Sequence, residues 1–188
     1  MVYFRRLIWF IARKLILWSV LLGMLVCGFY MAMNIANIRV VLEDGLEKRV
    51  DVLLTRQKAE DLNKYFHADF LRQDPALDDA VNKHNSFYEN YNITGFEYEL
   101  TIEKLWAWPW DTYATCTVVE KVPSIQGSVV ASKRSEVPSR IPPYDGGRYD
   151  ITLEKVGGEW KIMGMQQRSV LLQATDTEEA LQSEVLMP

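Results

Sequence analysis

The chain has 188 residues, with 21 Lys and Arg against 25 Asp and Glu. Its 48% hydrophobic content excludes a disordered chain, the absence of a repeat excludes a collagen-like fibre, and the length excludes a multi-domain enzyme. The charge is split: residues 1–38 hold Arg5, Arg6, Arg13 and Lys14 and no acid, whereas the remaining 17 basic residues face all 25 acids, leaving −8 there.

Leu15 to Ile38 is 24 residues without a charged side chain. About 20 apolar residues suffice to cross the hydrocarbon as a helix, whose backbone satisfies itself. Basic residues precede the run, and Glu43 and Asp44 follow Arg39 beyond it. A cytoplasmic N-terminus and an extracytoplasmic body are therefore expected at the cell membrane. Trp9 and Trp18 suit one interface and Tyr30 the other. A cleaved signal is the rival reading, but its apolar region would be shorter and end in a small-x-small site, which Asn34-Ile35-Ala36 does not supply. A buried core helix is disfavoured by the run's length. The expected organisation is a basic head at 1–14, a transmembrane helix at 15–38, one α+β domain at 39–172 and an acidic tail at 173–188.

Three helices are expected first. Val41 or Leu42, then Leu46, Val50, Leu53 and Leu54, form one stripe, with Glu43, Glu47, Lys48, Arg49 and Asp51 opposite. No proline separates this stripe from the anchor, so one helix continues out of the membrane, with Gly45 as a weak point. Ala59, Leu62, Tyr65, Phe66 and Phe70 predict a second helix over about 56–72. Asp74-Pro75 reads as an N-cap and first turn, opening a third whose face holds Leu77, Val81, His84, Tyr88 and Tyr91.

Strands follow. Phe96 to Glu103 alternates as a half-buried strand, and Tyr113 to Val122 is a second. Between them Leu105-Trp-Ala-Trp-Pro-Trp110 interrupts the pattern, because Pro109 cannot donate to a ladder. Residues 123–147 read as irregular, with a short edge strand at 128–132 and Gly146-Gly147 as a turn. Tyr149, Ile151 and Leu153 alternate, Gly157-Gly158 marks a hairpin, and Trp160 begins the return. Helices gathered first and antiparallel strands afterwards predict an α+β fold, a curved sheet packed on about three helices.

This order, the terminal hairpin Tyr149-Asp-Ile-Thr-Leu-Glu-Lys-Val-Gly-Gly-Glu-Trp-Lys-Ile162, and Lys64-Tyr65-Phe66 with Phe70-Leu71 resemble the nuclear transport factor 2-like superfamily over about residues 40–172. That resemblance implies a cone-shaped interior. The superfamily includes ketosteroid isomerases, polyketide cyclases, transport factors and non-catalytic interaction domains. A single-pass subgroup includes assembly subunits of type IV secretion and conjugation machines, which this chain resembles in layout.

For chemistry, the pocket candidates are Tyr65, Asp69, His84 and Tyr98, with His67 and Asp111 behind them. Tyr65 and Asp69, four apart, share a face of the expected second helix, whereas His67 and Asp69 do not. The blander reading of His84 is a core-edge residue with a hydrogen-bond partner. The isomerases' Tyr, Asp, Asp set cannot be matched residue by residue. Two widely spaced histidines and two cysteines fit no zinc spacing, and no phosphate-binding glycine loop occurs, so no metal or cofactor is expected. Cys116, alone in the body, reads as a core residue, and Cys27 as a helix residue. An acidic body disfavours nucleic acid. Asn92-Ile93-Thr94 is a glycosylation sequon at an expected turn.

Two surfaces stand out for partners. Lys133, Arg134 and Arg140, with Arg148, read either as a solvated loop or as a docking spot for an acidic partner or lipid headgroups. Trp106, Trp108 and Trp110 share a parity. They either fill the mouth of the cone or form a hot-spot surface for a partner or the membrane. The expected function is a membrane-anchored, non-catalytic binding or assembly module with a protein partner or a second copy of itself. The competing class is a small-ligand binder or a polyketide-cyclase or isomerase-like enzyme using the cone.

Overall fold

The computed structural model describes residues 2–56, 59–82 and 86–171. Helix α1, Val2–Thr55, is a single unbroken element of 54 residues, about 80 Å long at the helical rise. It has no proline and few residues that resist helix formation. It stops where Arg56 takes a left-handed φ of 56° and its N–H returns to the Val52 carbonyl at 2.9 Å. Gly45 does not break it. A Cβ there would lie 2.8 Å from Tyr65 Cβ, so glycine lets the following segment close on the helix.

The helix changes surroundings along its length. Large apolar side chains from Trp9 to Met33 are mostly exposed. From Asn34 onwards one stripe is buried: Asn34, Ile38, Leu42, Leu46, Arg49 and Leu53, at steps of three and four. Arg49 corrects the sequence reading, which placed it on the solvent side. By the last turns Val50, Val52 and Leu54 are buried too, because two clusters flank the helix there.

The expected second helix is replaced by a 3-10 turn, Ala59–Lys64, and a short helix α2, Ala68–Gln73. Between them the chain is extended. Phe66 bridges Ile162 in parallel; Ile162 N donates to the Tyr65 carbonyl and His67 N to the Ile162 carbonyl, both at 2.8 Å. Hydrogen bonds to a sheet edge thus override the helical periodicity. Asp74 does cap a helix, accepting from Ala76 N at 3.0 Å ahead of Pro75, but α3 is only Pro75–Leu77, followed by one wide turn at Asp78–Asn82. Tyr88 and Tyr91 are not on that helix. Their hydroxyls donate to the Pro143 and Pro138 carbonyls, each at 3.1 Å, and hold the proline-rich segment to the body. His84, and the tail at 173–188, lie outside the described residues.

Among the described residues six strands form two antiparallel sheets. β1, Tyr91–Phe96, pairs with β4, Ile125–Val129, as a ribbon. β2, Glu99–Leu105, β3, Tyr113–Lys121, β5, Gly146–Val156, and β6, Glu159–Leu171, form a sheet in the order β2-β3-β5-β6. The single strand expected at 96–103 is therefore split, and the edge strand expected at 128–132 starts earlier. The turn at Gly157-Gly158 has φ of +61° and +93°, as the hairpin requires. Gly146-Gly147, by contrast, opens β5 rather than making a turn; a Cβ on Gly146 would sit 2.4 Å from the Glu120 carbonyl oxygen.

Along β3 and β5, Ala114, Cys116, Val118, Tyr149, Ile151 and Leu153 face α1 and are buried. Burial pushes the Cys116 thiol up to about 12, as for an inert core residue. The other face is polar: Thr117 and Arg168 hold Asp150, and Arg148 pairs with Glu103 across β2 and β5. The molecule is α+β, with one long helix, rather than three, covering the sheet.

Candidate functional site

Two regions carry unusual side chains, at opposite ends of the buried half of α1. The first is the connection between β2 and β3. Trp106, Trp108 and Trp110 do not fill a cone mouth; they are 58%, 42% and 69% exposed, and Ala107 between them is the residue that points into the core. Trp106 meets Trp108 edge-on at 5.5 Å, and Trp108 stacks on Trp110 at 5.3 Å. Asp111 folds the loop by accepting from Trp108 N at 2.7 Å. The loop is clasped to α1 by Asn34. Its amide Nδ2 donates to the Trp108 carbonyl at 2.9 Å, and its Oδ1 accepts from Lys155 Nζ at 3.1 Å. The ammonium of Lys155 also lies 5.6 Å from the centre of the Trp160 ring.

The second region is a buried polar core opening into a cleft. Glu120 follows Ala114, Cys116 and Val118 on the inward parity of β3 and is fully buried. Tyr144 Oη donates to one carboxylate oxygen at 3.2 Å and Tyr98 Oη to the other at 3.4 Å. Burial raises the Glu120 pKa; the Arg49 charge and the two phenol hydrogen bonds oppose this without reversing it. Burial, then the Glu120 charge, pushes both Tyr98 and Tyr144 well up. Arg49 makes a two-pronged pair with Asp74 at 2.8 and 3.2 Å. Burial works against its charge, but the hydrogen bonds and charge of Asp74, with Glu120 nearby, leave its pKa raised. The cleft, about 820 Å³, is lined by Arg49 and Asp74, by Tyr88, Tyr144 and Tyr149, and by Phe70, Met163 and Met165 among its apolar residues. Asp69, Asp79 and Asp145 also border it. Burial moves the Tyr88 and Tyr149 hydroxyls up to about 12, so they are neutral donors over the physiological range.

The sequence candidates scatter across these regions. Tyr98 belongs to the Glu120 network but does not border the cleft. Asp69 sits on the rim, exposed, paired with Arg72. Tyr65 is elsewhere: its hydroxyl meets Asp44 Oδ2 at 3.5 Å and Lys64 Nζ at 3.4 Å. The extended bridge at Phe66 separates Tyr65 from Asp69, so the four-residue spacing carries no shared site. His67 caps α2 through Nδ1, which accepts from Asp69 N at 3.3 Å. Lys133 and Arg134 lie at a 3-10 turn, Ala131–Lys133, with Lys133 paired to Glu136 at 2.6 Å. Arg140 borders a smaller groove of about 370 Å³ beside β4. Glu120, Arg49 and Tyr144 were missed, although the alternation of β3 already put Glu120 on the inward side.

Comparison with protein-family models, with curated proteins and with solved structures gave no match. Chemistry must therefore be judged from the geometry. A general acid or base has to reach its substrate. Both oxygens of Glu120 are covered by phenols and the residue does not border the cleft, so it is placed as a structural acid. Among the described residues no His, Cys, Asp and Glu group is arranged to hold a metal. The cleft has one arginine, committed to Asp74, against four carboxylates on its lining. That balance suits a neutral or cationic occupant with an apolar body.

Proposed function

We propose that this chain is a single-pass membrane protein whose extracytoplasmic α+β body is a non-catalytic binding or assembly module of the nuclear transport factor 2-like kind. One observation carries the reading. From Leu15 to Met33 α1 is mostly exposed and apolar, long and apolar enough to cross a membrane, and without a break it becomes the spine of the core. A body built on the anchor helix is held rigidly to the bilayer, which suits a subunit that positions partners. The basic head sets the orientation, and the layout resembles that of assembly subunits of secretion and conjugation machines. The cleft is the docking site for a partner segment, with its carboxylates favouring a basic one.

The size of the cleft favours one alternative, a small-ligand binder with the same anchor. Crosslinking and affinity recovery of the full chain from native membranes separates the two. Recovery of the subunits of one envelope assembly, lost on an Asp69→Lys, Asp145→Lys double exchange, supports the module. Recovery of no protein, with a small molecule retained through purification, supports the alternative.

A further inference from the structure

The tryptophan loop has a definite height along α1. Asn34, which clasps it, is twenty residues beyond Lys14, the last charge of the head. At the helical rise that is about 30 Å, the thickness of the hydrocarbon layer. Arg39, the next charge, is five residues further, about 7.5 Å, which is the depth of one headgroup layer. With α1 across the bilayer, Asn34 marks the outer edge of the hydrocarbon and the loop bonded to it lies among the headgroups. The sheet is oriented to match. The β2–β3 loop and the β5–β6 turn are at the same end, since Tyr113 pairs with Glu154 in register. Exposed Trp106, Trp108, Trp110, Tyr113 and Val156 thus share one end of the body. These are the residue types that settle at a membrane interface, with indoles and phenols presenting apolar bodies and polar edges. Lys155, held by Asn34, places a cation beside them.

We infer that this end of the body is a second membrane contact: the tryptophan loop inserts into the outer headgroup layer of the bilayer that α1 crosses, and fixes the tilt of the body over it. The inference rests on the spanning reading of α1. Asn34 gives the loop a polar partner at the depth where water thins out. The Trp108 carbonyl accepts from the Asn34 amide and from Asp111 N, and the Asn34 oxygen takes the Lys155 ammonium, so these polar groups are bonded within the protein.

The test uses the full chain in nanodiscs containing lipids brominated either near the headgroup or near the tail end. In a Trp9→Phe, Trp18→Phe background, the loop indoles and buried Trp160 remain. The loop emission should be blue-shifted, lose about half its intensity to headgroup-proximal bromines and less to deep ones, and resist aqueous acrylamide. Trp106→Phe, Trp108→Phe, Trp110→Phe exchange in that background should abolish the quenchable component, which assigns it to the loop. A loop quenched by acrylamide and not by lipid overturns the inference, and is the outcome expected if these indoles instead wait for a protein partner. A companion chain retaining Trp18 alone among the head and loop indoles separates this failure from failure of the anchor. Trp18 quenched by lipid while the loop is not sinks the loop contact only; neither quenched sinks the spanning reading with it.

Discussion

The two halves of α1 are one helix with two kinds of surroundings. Residues 9–33 expose apolar side chains nearly all round, whereas from Asn34 a stripe is buried against the sheet. Composition does not separate them sharply, since Leu, Ile and Val are frequent in both. What separates them is charge. The first half has none between Leu15 and Ile38, and the second interleaves Arg39, Glu43, Asp44, Glu47 and Lys48 with its apolar stripe. A second contrast lies within the body. At the tryptophan end Asn34, Asp111 and Lys155 clasp a loop; at the cleft end Glu120, Arg49 and Asp74 are buried together beneath tyrosines. Polar residues at the tryptophan end tie the body to its helix, and those at the cleft end fix the packing of the core.

The largest expected effect breaks the cleft end. Arg49→Met leaves Asp74 buried without its cation and should cost about 3–5 kcal/mol. Thermal unfolding of the full chain in detergent, followed by circular dichroism, should show a large fall in midpoint, with the α1 span still helical. An unchanged midpoint would mean the pair adds nothing to the body.

Asn34→Ala tests the other end and should cost about 1 kcal/mol, because Lys155 loses its partner while the Trp108 carbonyl keeps the Asp111 N–H at 3.1 Å. The loop should exchange its amide hydrogens faster while the β5–β6 hairpin keeps its protection. Equal loosening of both would show that the clasp supports the whole sheet rather than the loop.

The smallest effect has the opposite sign. Folding raises the Glu120 pKa, so the folded chain holds that proton to higher pH than the unfolded chain. Its contribution to stability is therefore best in acid and declines as pH rises from the ordinary carboxylate range through the folded pKa. Glu120→Gln should remove this decline and leave the chain slightly more stable at neutral pH. Matched unfolding curves across mildly acidic to neutral pH would show it; a steeper decline in the variant would contradict the raised pKa.

Much of this was legible locally. The uncharged run, the helix continuing past Gly45, the Asp74 cap and the Gly157-Gly158 hairpin follow from neighbours in sequence. What escaped depends on distant partners. The bridge from Phe66 to Ile162 cuts the expected second helix, and no periodicity near residue 66 announces it. Arg49 looked solvated because its neighbours Lys48 and Asp51 pair on the surface, whereas its own partner lies 25 residues away at Asp74. Glu120 was readable from the alternation of β3, but a carboxylate at an inward position becomes plausible only once Tyr98 and Tyr144 are seen to reach it. The tryptophans could be counted, yet their exposure was decided by Ala107, the small residue that takes the core position.

The claim on which all of this depends is that α1 carries the body across a bilayer. The direct measurement is thiol labelling of the full chain in intact cells with a membrane-impermeant reagent, using Ser132→Cys in the body and Val2→Cys in the head. Cys116 is buried and stays silent. The account predicts that Ser132→Cys labels in intact cells, on a polypeptide that retains its head, and that Val2→Cys labels only after the membrane is opened. Labelling of the head from outside, or of Ser132→Cys only after permeabilisation, would contradict it.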